Sequence, residues 1–444
     1  MKTPARFIVA VALLVGPGRA LAQAPSPPGG AAGGKGPIVL TVENSRRDLV
    51  KIAVPRLRGD AEAAHTVTEI VGGDLSVSGW FNVLDPRAFL ANLPVEDLGI
   101  VVGDWRNVGA QAVSKGKVTE SGGQVSMEFR LYELGRGDTP VLNRAYHGPA
   151  AQLRAMAHGW SNEVVRYFAS EDGFFSTQIA FSAPSGAGRK DIYVMDYDGA
   201  NLRKLTDDGS QNILPAWSPS GDRVAFTSFL RGNPDLYTVA IGGGRPRKVS
   251  DRPGVNMGAA FSPDGSKIAC TLSQDGNSEI YALGTDGSIL RRLTNATAFI
   301  DTSPAWSPDG TELAFVSNRH GSPQIWMMDA TGGNPRRVTM VGTYNQEPAF
   351  CPRCATPTLA FTARDERAAF DVFTIDLKTR QLTRVTENQG NNEHPSWAPN
   401  GRALAVASSR GGIWVITADG KQQRQVYKGP ASTPTWGPAR KSTF

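Results

Sequence analysis

The chain has 444 residues, 40% apolar and 20% charged, and this length is typical of two or three globular domains. Three cysteines are too few for a disulfide scaffold, and 47 basic against 41 acidic residues, without a basic cluster interleaved with aromatics, argue against nucleic-acid binding. The 49 glycines and 30 prolines follow no collagen-like period, so they indicate many tight turns between many short strands.

The N-terminus has the pattern of a secretory signal peptide. Lys2 and Arg6 precede an apolar run from Phe7 to Val15, and Ala20-Leu21-Ala22 has the small-residue pattern of a cleavage site. A buried N-terminal helix is the alternative, and this pattern disfavours it. The apolar run is too short to span a bilayer, and no later stretch is long enough either. The sequence therefore predicts a signal peptide over residues 1–22, export, and no insertion into the membrane. Cleavage would lower the net charge from +6 to about +3.

Two regions of different character follow the signal. Residues 23–37 are rich in Pro, Gly and Ala, which bury little apolar surface, so we expect a flexible tail. Residues 38–172 combine the two-residue hydrophobic period of strands with the 3.6-residue period of helices, and so predict a small α/β domain. The predicted strands are Leu49–Val54, Phe81–Leu84, Gly99–Val102, Gly116–Thr119 and Gln124–Leu134, and the predicted helices are Glu62–Gly79 and Leu153–Phe168.

Residues 173–444 contain two signatures that each recur six times. The first is a Pro-Ala-aromatic-Ser-Pro-Asp-Gly pattern, with intervals of 39–47 residues between its aromatic positions Trp217, Phe261, Trp306, Phe350, Trp397 and Trp436. The second is a polar residue, a branched aliphatic residue and an aromatic residue, and its aromatic positions are Tyr193, Tyr237, Tyr281, Trp326, Phe373 and Trp414. Six copies at a period near 45 are typical of propeller blades.

The order of the strands predicts how the ring closes. The first blade lacks a preceding strand of the first signature, whereas the last copy, at Trp436, has no strand after it to pair with. We therefore expect the C-terminal strand to complete the first blade, which removes the unpaired edges of an open ring. The predicted fold is a small N-terminal α/β domain followed by an all-β six-bladed propeller closed by the C-terminal strand.

Several segments together carry a family resemblance: Leu49–Val54, Gly79–Phe81 with Leu84–Pro86, Trp105 with Gly109-Ala110, Phe129–Tyr132 and Phe175–Phe181. They resemble the TolB family, the periplasmic propeller proteins of the Tol–Pal envelope system. The resemblance implies a periplasmic scaffold whose propeller binds the outer-membrane lipoprotein Pal and whose N-terminal segment contacts TolA. It also implies a role in outer-membrane invagination during cell division and in envelope integrity. The long Pro- and Gly-rich tail departs from the family, so no TolA-contact residue is carried over.

An enzyme is the strongest rival interpretation, because propellers of this repeat type also cap serine peptidases. Such peptidases need a G-x-S-x-G elbow, which the chain lacks; the nearest segment, Gly159–Glu163, fails at its last position. No pair of histidines has metal-ligand spacing among His65, His147, His158, His320 and His394. The sequence therefore predicts no enzyme, no cofactor and no metal. The alternative function is that of an exported propeller acting as a solute-sensing or peptidase-associated binding module.

Cys351 and Cys354 replace the outer positions of the Ser-Pro-Asp-Gly turn in the fourth copy of the first signature. A C-x-x-C pair can be a redox centre, half of a metal site or a local staple. Neither a thioredoxin-like context nor a second pair for zinc is present. In an oxidising compartment we expect a disulfide within the turn rather than free thiols.

One positional pattern indicates a binding site. Five residues before the repeated aromatics stand Asn212, Asn256, Asp301, Asn345 and Asn392. The following position varies more, with Ile213, Met257, Thr302, Gln346 and Glu393, and Ser432 in the last copy. Turn capping is the alternative role for the Asn and Asp set. These residues precede the innermost strands, so we predict that they form one face around the channel that receives Pal, with Tyr344 and Met257 as anchors.

Overall fold

The computed structural model describes residues 49–89, 97–296, 298–364 and 368–439. The predicted signal peptide, residues 1–22, and the predicted tail, residues 23–37, lie outside these ranges. Within them, none of the helices combines the length and the apolar character that crossing a membrane would require.

The N-terminal region is an α/β domain built on one mixed sheet. Its elements in chain order are β1 (Val50–Ala53), β2 (Arg58–Gly59), α1 (Ala61–Val77), β3 (Phe81–Val83), α2 (Val102–Asn107), β4 (Ala112–Ser121), β5 (Gln124–Glu133), β6 (Leu142–Pro149) and α3 (Leu153–Ala169). The sheet order is β3-β1-β4-β5-β6, and β2 also pairs with β4. Strand β1 runs parallel to both of its neighbours, whereas β4, β5 and β6 form an antiparallel meander.

The two long helices follow from local sequence. Helix α1 begins after Asp60, whose carboxylate accepts hydrogen bonds from the backbone N–H groups of Glu62 and Ala63, both at 3.2 Å. Helix α3 ends at Ser170, which adopts a left-handed φ of 54°. The helices contact each other, and the apolar face predicted for α1 is buried.

The predicted strand over Gly99–Val102 is wrong. The chain there is irregular and enters helix α2 at Val102. A four-residue apolar run does not distinguish a strand from the start of a helix. The helix is favoured because it buries the Trp105 side chain completely and sets its ring 5.2 Å from the ring of Phe89.

The described residues after α3 form six four-stranded antiparallel sheets, so the predicted six-bladed propeller after an α/β region is confirmed. Blade 1 contains β7 (Gln178–Gly186), β8 (Arg189–Asp196) and β9 (Arg203–Lys204). Blade 2 contains β10 (Asn212–Trp217), β11 (Arg223–Ser228), β12 (Asp235–Ala240) and β13 (Arg247–Ser250). Blade 3 contains β14 (Asn256–Phe261), β15 (Lys267–Leu272), β16 (Glu279–Gly284) and β17 (Ile289–Arg292).

The remaining blades repeat the same plan. Blade 4 contains β18 (Asp301–Trp306), β19 (Glu312–Ser317), β20 (Gln324–Asp329) and β21 (Arg336–Arg337). Blade 5 contains β22 (Asn345–Phe350), β23 (Thr358–Arg364), β24 (Phe370–Asp376) and β25 (Leu382–Arg384). Blade 6 contains β26 (Asn392–Trp397), β27 (Ala403–Ser408), β28 (Ile413–Thr417) and β29 (Gln423–Tyr427). The last strand is β30 (Ser432–Trp436).

Strand β30 belongs to blade 1, although it lies at the other end of the chain. It pairs antiparallel with β7, with Trp436 opposite Ile179 and Ser432 opposite Ser182. The first strands of the sheets contact one another in succession, and β30 contacts both β26 and β10. These first strands are therefore the innermost ones, and β30 lies among them.

The antiparallel order gives the propeller two faces. Turns from the first to the second strand and from the third to the fourth strand lie on one face. Connections from the second to the third strand, and from the fourth strand to the next blade, lie on the other, which we call the distal face. The α/β domain packs against the first kind of turn, since Asn400 Nδ2 donates to the carbonyl of Asp172 at 3.1 Å and Gln422 Nε2 to that of Phe81 at 3.4 Å.

Candidate partner-binding face

The sequence pattern placed two sets of side chains on the distal face, and their surroundings differ. Each residue of the Asn and Asp set is the first residue of an innermost strand and is at most 1% exposed. Asn212 Nδ2 donates to Asp208 Oδ1 at 2.8 Å, and Asn345 Nδ2 donates to Gln324 Oε1 at 2.8 Å.

The other three members have hydrogen-bonding or ion-pair partners as well. Asn256 Oδ1 accepts from the backbone N–H of Arg252 at 3.0 Å. Asp301 pairs with Arg319 at 2.5 Å, and Asn392 Nδ2 donates to the carbonyl of Gly390 at 3.2 Å. The bonds of Asn212, Asn256 and Asn392 lie within the turns before their strands, as turn capping predicts. Asp301 and Asn345 instead bond to side chains 18 and 21 residues away in the chain. Direct contact of the five side chains with a partner stays a prediction.

The set four positions before the repeated aromatics is more accessible. Ile213 is buried, whereas the other members are half-buried: Met257, Thr302, Gln346, Glu393 and Ser432. Apolar, hydroxyl, amide and acidic groups are therefore all present around the opening. Such a varied polar and apolar set is suited to recognising a particular partner surface.

The residue three positions before the repeated aromatic has a positive φ in all six blades. The residues are Leu214, Gly258, Ser303, Glu347, His394 and Thr433, with φ between 53° and 67°. The pairing register with the next strand shifts at the same place in each blade. A left-handed conformation is strained by about 1–2 kcal/mol for a non-glycine residue. Strain that recurs at one place is typical of functional sites.

Two of these left-handed residues form a half-buried ion pair between blades 5 and 6. His394 Nδ1 lies 2.9 Å from Glu347 Oε1, and Glu347 Oε2 accepts from Thr362 Oγ1 at 2.7 Å. Burial raises the pKa of Glu347, but the charge of His394 outweighs burial and lowers it. Burial likewise lowers the pKa of His394, but the charge of Glu347 outweighs burial and raises it.

Glu393 adds a further acidic group beside this pair. Burial, together with the negative charge of Glu347, raises the pKa of the Glu393 carboxyl. With Glu393 ionised, the two carboxylates outnumber the one imidazolium. Lys190 is close enough for its positive charge to act on His394, so this side of the opening carries charges of both signs.

The distal face also carries exposed apolar side chains that the sequence reading missed. Met340 and Val341 are 63% and 54% exposed in the β21–β22 connection. Phe299 and Leu230 are also exposed, in the β17–β18 and β11–β12 connections, while Tyr344 is half-buried with its ring 5.8 Å from that of Phe370. The signal was available, because the two residues after the repeated Thr or Ser are mostly polar in the other copies and Met-Val here.

Cys351 and Cys354 form a disulfide in the β22–β23 turn, with 5.7 Å between their Cα atoms. Ordinary copies of this turn are closed by side-chain hydrogen bonds, such as Ser307 Oγ to Asp309 Oδ1 at 2.6 Å. This turn lies on the face opposite the distal face, because it joins the first and second strands of its blade. The disulfide is therefore remote from the predicted partner-binding residues.

Comparisons with known proteins agree in both parts of the chain. Residues 166–440 match the family model of the TolB beta propeller domain, and residues 38–139 match that of the TolB amino-terminal domain. A Tol-Pal system protein TolB from Myxococcus xanthus is 50% identical over 374 residues, which are 83% of each chain. Another from Cereibacter sphaeroides is 33% identical over 211 residues, 46% of this chain, so the match spans about half (48%) of that relative's length.

A solved structure shares the same architecture. The crystal structure of TolB from Acinetobacter baumannii superposes with a TM-score of 0.75 and 25% sequence identity, covering 88% of this chain and 97% of that one. The propeller model alone matches more than half of this chain, and the Myxococcus relative is similar over most of its length. The resemblance predicted from the sequence is thus confirmed, and the chain belongs to the TolB family.

Proposed function

We propose that this chain is a non-enzymatic periplasmic scaffold of a Tol–Pal system. Its distal face binds the outer-membrane lipoprotein Pal, and its N-terminal segment binds TolA. Through these contacts it supports outer-membrane invagination during division and the integrity of the envelope. The family membership supports this proposal, because the relatives are named as proteins of that system.

The composition of the distal face is the observation that carries the Pal assignment. Met340 and Val341 are exposed and apolar, whereas Met257, Gln346 and Glu393 are half-buried beside the opening. Exposed apolar side chains rimmed by polar groups are typical of protein-binding surfaces. The α/β domain packs on the opposite side of the ring, so it does not cover this face.

The propeller contact is tested by titrating the protein with the soluble domain of Pal. The double variant Met257→Arg with Gln346→Arg adds two bulky charges at the opening, and we expect affinity to fall at least about tenfold. The matched control is Leu290→Arg, which adds the same side chain at an exposed apolar position on the outer strand β17. Unchanged affinity in the double variant, with the control also unchanged, would remove Pal from this face.

The TolA contact is tested separately by deleting residues 23–37. A pull-down from envelope extract should then lose TolA and retain Pal, because the deletion leaves the propeller intact. Loss of both partners, or of Pal alone, would contradict the division of roles. Retention of TolA would place its binding site outside this segment.

A further inference from the structure

The α/β domain and the propeller meet at a buried cluster of charged side chains. His158 of α3 lies with Nδ1 2.9 Å from Asp74 Oδ2 of α1 and Nε2 3.5 Å from Asp198 Oδ2 in the β8–β9 turn. Arg154 also pairs with Asp198, and the Tyr197 hydroxyl donates to Asp74 Oδ1. The side chains of Asp74, His158 and Asp198 are each at most 5% exposed.

The charges in this cluster are balanced. Burial alone lowers the pKa of His158, but the charge of Asp74 and the contact with Asp198 outweigh it and raise the pKa to about 10. Burial and the charge of Asp74 raise the pKa of Tyr197, which therefore remains a neutral donor. Two carboxylates thus face His158 and Arg154. Neutralising a single member would leave an unpaired buried charge, which is strongly unfavourable.

Arg424 of β29 brings blade 6 into the same junction. Helix α1 contains Gly73 where Arg424 approaches, and a Cβ added there would lie 2.5 Å from the guanidinium Nη1. The guanidinium therefore lies directly against the backbone of helix α1 at Gly73. The α/β domain therefore lies over blade 1 and blade 6 together.

Tyr197 links this cluster to the C-terminal strand. Its ring stacks on that of Trp436 with 6.5 Å between centroids and 13° between planes. The imidazole of His158 lies edge-on to the Tyr197 ring, with 5.7 Å between centroids. Trp436 Nε1 donates to Thr177 Oγ1 at 2.7 Å, and Phe174 packs edge-on against the indole at 5.2 Å. Trp436 is thus held by the segment that joins α3 to blade 1 and by the residue that bonds to Asp74.

We propose that the α/β domain stabilises the closure of the propeller ring. The Asp74–His158–Asp198 cluster holds Tyr197 against Trp436 and thereby keeps strand β30 in blade 1. Strand β30 is joined to blade 1 only by strand pairing and side-chain contacts, because its covalent connection leads to blade 6. The order of β30 therefore depends on contacts at Trp436 more strongly than the order of the other innermost strands depends on their own side-chain contacts. The inference does not depend on which partner the distal face binds.

Hydrogen exchange of the full chain tests whether the α/β domain stabilises the closure of the ring. In Asp74→Asn and His158→Gln, which keep side-chain size and remove a charge, we expect amides of β30 to exchange at least about tenfold faster. Amides of β14, an innermost strand away from the junction, should keep their wild-type rates. The matched control is Arg144→Gln, which breaks an ion pair between Arg144 of β6 and Glu163 on the same helix as His158, and should leave β30 unchanged.

A milder variant covers the case in which the charge variants fail to fold. Tyr197→Phe removes the hydroxyl that bonds to Asp74 and keeps the ring on Trp436, so β30 should exchange about three- to tenfold faster. Wild-type protection of β30 in Tyr197→Phe would overturn the proposal. Equal acceleration of β14 and β30 in any of the variants would overturn it too, because the cluster would then stabilise the whole propeller without acting on its closure.

Discussion

The indole Nε1 of Trp217 in blade 2 donates a hydrogen bond to the backbone carbonyl of Thr435 in β30, at 3.1 Å across 218 residues of chain. The same bond recurs between other neighbouring blades, from Trp306 to the carbonyl of Ala260 and from Trp397 to that of Ala349, each at 3.1 Å. The C-terminal strand is therefore joined to blade 2 by the same contact that joins blades continuous in the chain.

Replacing Trp217 by Phe removes this bond and should lower the free energy of unfolding by about 1–3 kcal/mol, since a carbonyl loses its donor. Trp306→Phe is the matched control within the ring. Both variants lose similar interactions, but only Trp217→Phe weakens the hold on a strand near the end of the chain. Urea unfolding gives the two losses, and limited proteolysis gives C-terminal release. Equal proteolytic resistance of the two variants would contradict this difference.

The repeat made the propeller predictable from sequence, because each copy carries its own turn chemistry and strand pattern. The aromatic of the first signature, as at Trp306, marks an innermost strand in every copy. Helix α1 was predictable from its apolar periodicity. These are local signals, and they need no knowledge of distant contacts.

The features that sequence reasoning missed depend on distant contacts. His158 read as one of five scattered histidines, since its partners Asp74 and Asp198 stand 84 and 40 residues away. Asn212 likewise bonds to a distant residue, because its Nδ2 donates to Asp191 of blade 1 at 3.3 Å. The sequence predicts a strand over Gly99–Val102 because four apolar residues give no sign of the packing around Trp105 that favours a helix.

The disulfide of blade 5 supports a prediction about turn stability. Replacing both Cys351 and Cys354 by Ser opens a very short loop, and chain entropy assigns such a loop about 2 kcal/mol of stabilisation. The triple variant Cys351→Ser, Arg353→Asp and Cys354→Gly restores the hydrogen-bonded turn of the other blades. We expect it to recover part of the loss in urea unfolding. No loss in the double variant, or no recovery in the triple variant, would contradict this role.

Two glycines in blade 1 allow the free-energy cost of backbone strain to be measured separately from the cost of crowding. Both have positive φ, 70° at Gly188 and 94° at Gly199, but only Gly199 is crowded. An added Cβ there would lie 2.1 Å from the carbonyl oxygen of Val426 in blade 6, whereas Gly188 has open space. Gly188→Ala should therefore lower stability by about 1 kcal/mol and Gly199→Ala by clearly more. Similar losses in denaturant unfolding would mean that blades 1 and 6 are not tightly packed.

The raised pKa of His158 predicts how the junction responds to pH. Its folded value of about 10 lies above the ordinary 6.5, so its stabilising contribution is complete below about pH 6.5 and declines as pH rises. Above about pH 10 the contribution is gone. Other groups also titrate in this range, so the informative quantity is the stability difference between the wild type and His158→Gln. At pH 6 we expect this difference to be about 3–5 kcal/mol, because the variant leaves two buried carboxylates with less compensation.

Thermal and urea unfolding from pH 6 to pH 10 measure this difference. It should shrink steadily with rising pH, because the wild type loses the same charge that the variant already lacks. His147→Gln, at an exposed position on β6, is the control and should match the wild type throughout. A difference between wild type and His158→Gln that stays constant over this range would show that His158 acts by its shape rather than by its charge. The ion pairs with Asp74 and Asp198 would then contribute little to the junction.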